Sequence, residues 1–334
     1  MEDSKPFEAV PEDGAALFRM AWQLENWFRL IVYVELRAAY VDWEAPIRSV
    51  VAQWPPRALG NDKRLHHMAT AHASPLSYLT FAELWKIIAD DQHWQLFEPY
   101  FPPKEITTAR IEEVRAIRNR IAHFRAPHVH DVARFTLFLN DMASGLRRFC
   151  QRYNAPAHSQ KPDAFHEHLG ANWRRYGYGT EMNGPNGWLY APHDQRTCPT
   201  FHASLSVHRH PLSGARTAGL MYCLALFPPV DRYLDVSGFL EGSRKLHDKA
   251  IHVRIESKER VSVVLPAVQS VPVIGDLAAG FLQVARDNVS LSERSFQVNP
   301  SDWSESVLWP SHVLNISIDE PHDPLLEVPS LRAG

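Results

Sequence analysis

Apolar residues in the first 152 positions recur with the spacing of buried helices. From Leu17 to Tyr40 the chain contains neither glycine nor proline, and its apolar residues fall three and four positions apart, which is the period of a helix that buries one broad face. The residues expected in this buried face are Leu17, Phe18, Ala21, Leu24, Phe28, Ile31 and Val32. Glu25 interrupts one row of the face, and a carboxylate there requires a cationic partner.

Three more helices are predicted before residue 153. The predicted segments are a helix after an N-cap at Thr80, a helix from Thr107 or Thr108 to just before Pro127, and a helix over 131–153. Glu83, three residues after Thr80, completes the pattern of a capping box. Gly145 is the weak point of the last helix, because glycine has a low helix propensity. These segments predict an all-helical first domain over residues 1–152.

Beyond a polar, proline-containing stretch at 153–165, the pattern changes to the alternation that is typical of strands. Predicted strands cover 201–208, 220–227, 250–257, 260–268 and 312–319, and predicted helices cover 237–248 and 274–287. We therefore expect an α+β protein with three parts. These parts are a helical bundle over 1–152, a linker over 153–165 and an α+β domain over 166–330.

Composition narrows the class of protein. The 334 residues are 45% hydrophobic and 22% charged, which is typical of a globular chain and not of a disordered one. Apolar runs stay well short of the roughly 18 residues that a membrane-spanning helix needs, and the acidic N-terminus lacks the apolar segment of a signal peptide. Three cysteines without CxxC spacing indicate neither a disulfide framework nor a thiolate zinc site. These features predict a cytoplasmic protein with no membrane partner.

The segment 110–125 carries the most informative pattern. On a helix its apolar residues form one buried stripe, made up of Val114, Ile117, Ile121 and Phe124. Arg118, Asn119 and His123 lie away from this stripe, with Arg118 and His123 about 140° apart around the helix axis. One helix alone does not bring that pair together, whereas two helices that meet across an interface would. On spacing alone, an ordinary solvated face explains the same three residues.

Arginine is concentrated in this part of the chain. Residues 110–152 contain nine arginines and no lysine against four acidic residues, an excess of five positive charges in a chain whose formal net charge is −3. The planar guanidinium binds phosphate oxygens in a bidentate manner, which an ammonium group does not do. The motif helix and the helix after it are therefore expected to bind phosphate groups.

The sequence RNRIAH at 118–123 resembles the R-N-x-x-x-H motif of the HEPN superfamily of helical ribonucleases. The similarity continues in order through LENWFRLIV at 24–32, the acidic and aromatic cluster at 42–44, PLSYLTFAELWKII at 75–88 and WQLFEPYF at 94–101. These segments resemble the HEPN branch found in abortive-infection proteins and in an RNA-quality-control endonuclease. The resemblance covers roughly residues 15–152 and does not extend to the second half.

The resemblance implies a homodimeric endoribonuclease that acts on RNA without a metal ion or another cofactor. Its catalytic residues would be Arg118, Asn119 and His123 of both chains, which line the dimer cleft. The family also places a polar residue of the first helix at the site, for which Glu25 is the candidate; a plain i,i+4 ion pair between Glu25 and Arg29 is the alternative. The supporting or RNA-binding residues that we predict are Glu25, Arg115, Arg120, Arg125 and His128.

The resemblance further implies a toxin or phage-defence effector. The α+β domain carries no catalytic constellation of its own, so we expect it to select the target or to bind a cognate antitoxin or another regulator. Two alternatives stay open. One is a non-catalytic HEPN scaffold that binds RNA or protein. The other is a metal hydrolase built from the C-terminal histidines, which include the His-x-His pairs at 166/168 and 208/210, because histidines two positions apart share one side of a strand and bind zinc.

Overall fold

The computed structural model describes residues 11–65, 67, 74–154, 178–181, 189–192, 202–209, 220–229, 232–257, 260–290 and 314–316. The described α-helices are α1 (Glu12–Ala39), α2 (Ala45–Val50), α3 (Arg57–Asp62), α4 (Phe81–Ile88), α5 (Trp94–Phe97), α6 (Lys104–Ala122), α7 (Asp131–Asn154), α8 (Val236–Ser243) and α9 (Val271–Asp287). The described strands are β1 (Tyr178–Glu181), β2 (Leu189–Pro192), β3 (His202–Arg209), β4 (Leu220–Phe227), β5 (Tyr233–Leu234), β6 (His252–Ser257), β7 (Arg260–Pro266), β8 (Val289–Ser290) and β9 (Leu314–Ile316). A helical first part followed by strands and helices confirms the α+β prediction.

Helix α1 supplies the largest share of the helical core. Leu24 and Phe28 are buried as the periodicity predicts, and the Phe28 ring stacks on Phe81 of α4 at a centroid distance of 5.4 Å. Phe18 is different, because 59% of its surface is exposed. Its predicted core position is wrong. Phe18 shares its side of α1 with Trp22, four residues on, and that side is open to solvent.

Helices α1 and α7 run in the same direction. Near their first turns, Met20 Sδ on α1 lies 3.8 Å from Thr136 Oγ1 on α7. Further along both helices, the rings of Trp27 and Phe149 meet edge to face with centroids 6.5 Å apart. The two helices therefore pack side by side along much of their lengths.

Helix α6 runs opposite to α7, because its last turn is joined to the first residue of α7 by the ion pair Arg120–Asp131. The first turns of α1, the end of α6 and the start of α7 consequently lie at the same end of the bundle. We call this region the motif end and define it as residues 17–25 and 118–137. It contains the RNRIAH motif and the loop that follows it.

The chain before α6 packs directly on α7. The 3-10 turn Glu98–Tyr100 crosses α7 at Gly145, and a β-carbon added to Gly145 would lie 1.8 Å from the Tyr100 carbonyl oxygen. The Tyr100 hydroxyl in turn donates a hydrogen bond of 2.7 Å to the buried carboxylate of Glu35. The glycine that weakens α7 by its propensity is thus the residue that permits this close contact.

The predicted start of helix α4 is confirmed, and the predicted start of helix α6 is wrong. At α4 the capping box is formed, since the Glu83 N–H donates to Thr80 Oγ1 at 3.3 Å and the Thr80 N–H donates to Glu83 Oε2 at 2.8 Å. Helix α6 begins at Lys104, so the predicted start three or four residues later is wrong. The Thr107 hydroxyl does not cap a helix there. It donates to the Pro102 carbonyl at 3.0 Å and so ties the first turn of α6 to the preceding chain.

The described strands form a seven-stranded sheet in the order β1–β2–β3–β4–β7–β6–β9 and a separate pair, β5–β8. Neighbouring strands in the large sheet are antiparallel except for the parallel pair β6–β9. Every residue of β7 from Val261 to Pro266 is buried, so both faces of the sheet are covered at this strand. Helices α1 and α9 both contact it. The five predicted strands correspond to β3, β4, β6, β7 and β9, and the two predicted helices to α8 and α9.

Polar side chains connect the helical part to the second half of the chain. The Tyr33 hydroxyl on α1 donates to the Ile251 carbonyl at 2.9 Å, and Arg37 donates to two main-chain carbonyls just before β6. At the end of α7, the Tyr153 hydroxyl shares a hydrogen bond with His252 Nδ1 on β6. Burial raises the pKa of Tyr33 above its usual value, although the nearby Arg37 opposes this. These contacts lie within a buried core that is continuous from α1 to the sheet.

Helix α7 extends to Asn154, close to the predicted boundary at 152. Residues 155–177, which include most of the predicted linker, lie outside the described residues. Among the helices that are described, none combines the length and the apolar character that crossing a membrane requires.

Candidate functional site

Helix α6 ends inside the motif. His123 directly follows the last helical residue and is the C-cap. The Phe124 N–H donates to the Ile121 carbonyl at 2.9 Å, and the Arg125 N–H donates to the Arg120 carbonyl at 3.0 Å. These are the two hydrogen bonds of a Schellman motif, which reverses the chain at the end of a helix. The candidate histidine therefore lies at a sharp turn and not in the middle of a helix.

Phe124 leaves the apolar stripe because the chain reverses at this point. Its φ is 56° and its side chain is 99% exposed, so the predicted core position of Phe124 is wrong. Val114 and Ile117 are buried and Ile121 is half-buried, as the stripe predicts. The stripe predicted from periodicity is wrong only at Phe124, because the prediction took the helix to continue almost to Pro127.

Glu25 on α1 lies between two arginines. Its Oε1 is 2.9 Å from both Nε and Nη2 of Arg118, and its Oε2 accepts a hydrogen bond from Arg29 Nη2, also at 2.9 Å. The Glu25 side chain is 12% exposed, so the carboxylate is shielded from most of the solvent. The structure therefore shows the i,i+4 ion pair with Arg29 that the sequence offered and, in addition, a contact with the motif residue Arg118.

Arg29 holds this carboxylate in place. Its Nε donates to the Leu76 carbonyl at 3.2 Å, its Nη2 to the Leu79 carbonyl at 3.2 Å, and its Nη1 to Asn26 Oδ1 at 3.1 Å. The Arg29 guanidinium is thus fixed by main-chain and side-chain acceptors around it. Arg118 meets the fixed carboxylate with one edge of its guanidinium and keeps 31% of its side chain exposed. This arrangement leaves part of an oriented guanidinium open to an anionic ligand.

Asn119 and His123 lie on the open surface of α6. Both side chains are exposed, and the His123 N–H donates to the Asn119 carbonyl at 3.2 Å. In the described part of the chain, no side-chain hydrogen bond joins either residue to Arg118, as expected for side chains far apart around one helix. The fold brings Arg118 to Glu25 and places Asn119 and His123 on the neighbouring side of the helix.

The other predicted arginines differ in their contacts. Arg115 pairs with Glu112 at 2.8 Å on the exposed surface, where an ion pair adds little stability. Arg120 lies in the last turn of α6 and pairs with Asp131. Arg125, just past the turn, is exposed. Arg115 and Arg125 are therefore accessible to a phosphate, whereas Arg120 is engaged within the fold.

Asp131 fastens the loop after the motif. It accepts a hydrogen bond of 2.8 Å from the N–H of His128, whose side chain is exposed, and it pairs with Arg120. Burial acts to raise the pKa of Asp131. The hydrogen bonds from His128 and Arg120, together with the positive charges of these residues, outweigh burial and hold the pKa below its usual value. The ionised carboxylate consequently stabilises the path of the loop.

We expect Asp131→Asn to lower the free energy of unfolding at pH 7 by about 2 kcal/mol, because hydrogen bonds to a charged group are lost. Since the pKa is lower in the native state, this stabilisation is present above about pH 4 and disappears as the pH falls through the native pKa. Urea unfolding measured from pH 7 to pH 3 should therefore show that the difference in free energy of unfolding between wild type and Asp131→Asn becomes smaller as the pH falls. Asp141→Asn, at an exposed position of α7, is the control, and a gap that does not change with pH would contradict this role of Asp131.

Large apolar side chains are exposed around the motif, and the sequence analysis did not predict them. At the motif end, Trp22 is 63% exposed and Val129 is 85% exposed, in addition to Phe18, Phe124 and Leu137. The signal available in the sequence was the four-residue spacing of Phe18 and Trp22 on one side of α1. Of these residues, Phe18 and Phe124 were assigned to buried stripes from their helical spacing, and no prediction was made for Trp22.

The described residues include no group of three or more histidine, cysteine, aspartate or glutamate side chains placed to hold a metal ion. His128 and His130 are exposed in the loop between α6 and α7. The pairs at 166/168 and 208/210, on which the metal-hydrolase alternative depends, are not among the residues whose side chains are described.

Comparisons of the chain with protein-family models, with curated proteins and with solved structures each found no match. The functional assignment therefore depends on the residues of the motif end and on their geometry.

Proposed function

We propose that the protein is a metal-independent endoribonuclease of the HEPN type, with Arg118, Asn119 and His123 as its catalytic residues. The observation that carries this proposal is the contact between Arg118 and Glu25. A shielded carboxylate fixes Arg118 on one side of α6, and the same motif presents an exposed asparagine and an exposed histidine on another side of the helix. An oriented guanidinium that holds the phosphate and an imidazole that transfers protons are the groups that cleavage of a phosphodiester requires.

The nucleophile is the 2′-hydroxyl of the RNA itself. A neutral His123 imidazole accepts the hydroxyl proton while the 2′-oxygen forms its bond to phosphorus. Arg118 donates hydrogen bonds to the non-bridging oxygens, on which negative charge develops. The bond to the 5′-oxygen then breaks, and a protonated imidazole donates a proton to this leaving oxygen. The products are a 2′,3′-cyclic phosphate and a 5′-hydroxyl end.

This reaction uses one base and one acid, whereas each chain contributes a single His123 at the motif. We therefore propose a homodimer through the helical part, in which two motif ends face each other with the RNA between them. One His123 acts as the base and the other as the acid. Asn119, one turn before His123, orients the imidazole or binds the phosphate. The separate sides of α6 on which Arg118 and His123 lie support this arrangement.

The remaining residues have supporting roles in the proposal. Arg115 and Arg125 bind neighbouring phosphates, and His128 lines the RNA path. Arg120 contributes indirectly, because its pair with Asp131 holds the loop that follows the motif. The second half of the chain selects the target or binds an antitoxin or another regulator. By analogy with the family that the motif resembles, the protein is a cytoplasmic toxin or phage-defence effector.

The test is to incubate the purified full-length protein with total RNA, with and without excess EDTA. We expect cleavage to survive EDTA and to leave 2′,3′-cyclic phosphate ends, because the proposed reaction uses side chains and the RNA hydroxyl alone. A DNA strand of the same sequence should stay intact, since it lacks the nucleophile. Strict dependence on magnesium or zinc would favour the histidine-based hydrolase, and binding of RNA without cleavage would favour the scaffold.

A further inference from the structure

Phe124 occupies a position that suits neither its backbone nor its side chain. It is the residue of the Schellman motif that adopts a left-handed conformation, with φ 56°, and glycine is usual there because a β-carbon is strained. The residue is 99% exposed, so its ring gains nothing from burial. Neither the ending of the helix nor the packing of the core explains a phenylalanine at this point.

The surroundings of Phe124 are positively charged. The motif end contains five arginines against two acidic residues, Glu25 and Asp131, each of which pairs with an arginine. His123, directly before Phe124, and Arg125, directly after it, are both exposed. An exposed aromatic ring within a basic surface is the combination that binds single-stranded nucleic acids, because bases stack on the ring while cations hold the phosphates.

We infer that Phe124 is a stacking site for one nucleobase of single-stranded RNA, next to the phosphate at Arg118 and His123. The inference rests on the proposed function for the position of that phosphate. The ring contacts the flat face of the base, which all bases possess, so the site favours purines by stacking area and does not read a sequence. A second copy of the chain packed directly on Phe124 is the alternative, and the oligomeric state of Phe124→Gly distinguishes it from a stacked base.

Phe124→Gly separates stacking from folding. Glycine suits the left-handed conformation, so the variant should unfold at a temperature no lower than wild type. Phe124→Trp keeps an aromatic ring. Ile106→Ala is the matched control, since Ile106 is a large apolar residue on the same helix, 58% exposed but near the opposite end.

Binding is measured by fluorescence anisotropy with the full-length chain and three labelled strands of equal length. These are a 2′-O-methyl oligoadenylate, a 2′-O-methyl oligouridylate and an abasic strand; blocking the 2′-oxygen prevents cleavage during the measurement. Phe124→Gly should bind the oligoadenylate roughly 5- to 150-fold more weakly, which is the cost of losing one stacked base, and should bind the abasic strand as wild type does. Phe124→Trp and Ile106→Ala should bind all three strands with wild-type affinity.

Three results would refute the stacking of a nucleobase on Phe124. They are unchanged affinity of Phe124→Gly for oligoadenylate, an equal loss for the abasic strand, and conversion of a dimer to a monomer by Phe124→Gly, which would identify a protein interface. The failure of the nuclease proposal looks different. If the wild-type protein binds oligoadenylate through Phe124 but cleaves no RNA, the nuclease proposal is refuted and the stacking site at Phe124 is retained. If the wild-type protein cleaves RNA but Phe124→Gly binds oligoadenylate as wild type does, only the stacking site is refuted.

Discussion

Replacing His123 with alanine is expected to slow RNA cleavage by roughly 10²- to 10⁴-fold, the usual cost of losing general acid–base catalysis. Arg118→Ala is expected to cause a loss of roughly 10²-fold or more, because the guanidinium stabilises charge in the transition state. Neither change should unfold the protein. His123 is an exposed C-cap residue, and Glu25 keeps Arg29 as its partner when Arg118 is removed. The measurements are the rate of cleavage of a labelled RNA and urea unfolding of each variant.

The controls for this experiment come from the same surface. His130→Ala removes an exposed histidine seven positions after the motif histidine and should cleave at the wild-type rate. If the dimer is required, an excess of the His123→Ala chain should suppress wild-type cleavage after exchange of subunits, because mixed dimers lack one of the two imidazoles. Folded His123→Ala and Arg118→Ala variants that cleave at the wild-type rate would falsify the site assignment. Activity in a species that light scattering identifies as a monomer would refute the dimer.

Gly145→Ala is expected to destabilise the fold by about 3 kcal/mol, at the upper end of what overpacking a core costs. The new methyl group would lie 1.8 Å from the Tyr100 carbonyl oxygen, so the backbone of one segment must move. That movement is resisted because the Tyr100 side chain is buried and bonded to Glu35. The measurement is the free energy of unfolding in urea, which should fall although alanine has the higher helix propensity.

Gly60→Ala is the matched control for this substitution. Gly60 is exposed on helix α3, and a β-carbon added there would meet no atom within 4 Å. Its replacement should leave stability unchanged or raise it by up to about 1 kcal/mol, as expected for a helical glycine with open surroundings. A Gly145→Ala variant as stable as Gly60→Ala would show that the contact with Tyr100 is not as close as the structure indicates.

The features that sequence reasoning predicted correctly are governed by neighbouring residues. The capping box of Thr80 and Glu83 involves atoms three residues apart, so composition and spacing specify it. The buried positions of α1 from Leu24 onwards follow from helical periodicity for the same reason. At Phe124 the same reasoning failed, because the helix stops without glycine and periodicity carries no information about where it ends.

The contacts of the candidate site depend on distant residues. Arg118 and Glu25 are 93 positions apart, and no local pattern specifies that pair. The sequence identified Glu25 because a carboxylate in an apolar row needs a cation, but it offered only Arg29 as that cation. The fold places both Arg29 and Arg118 at the carboxylate. Trp22 was missed because its exposure depends on which elements cover α1, and this is a property of the tertiary structure.

The side chains of Tyr33, Arg37 and Tyr153 form hydrogen bonds to the region around β6. Because of these bonds, the second half of this protein cannot simply be replaced by a different domain. A chimaera with a different second half would remove the buried carbonyls that accept these bonds and the histidine that shares one with Tyr153. An uncompensated buried guanidinium and two buried hydroxyls cost several kcal/mol together, a large fraction of the stability of a typical domain. In evolution, a new second half can therefore be joined to this helical part only if it supplies equivalent acceptors. The amino acids at these positions should accordingly change together with the strand that faces them.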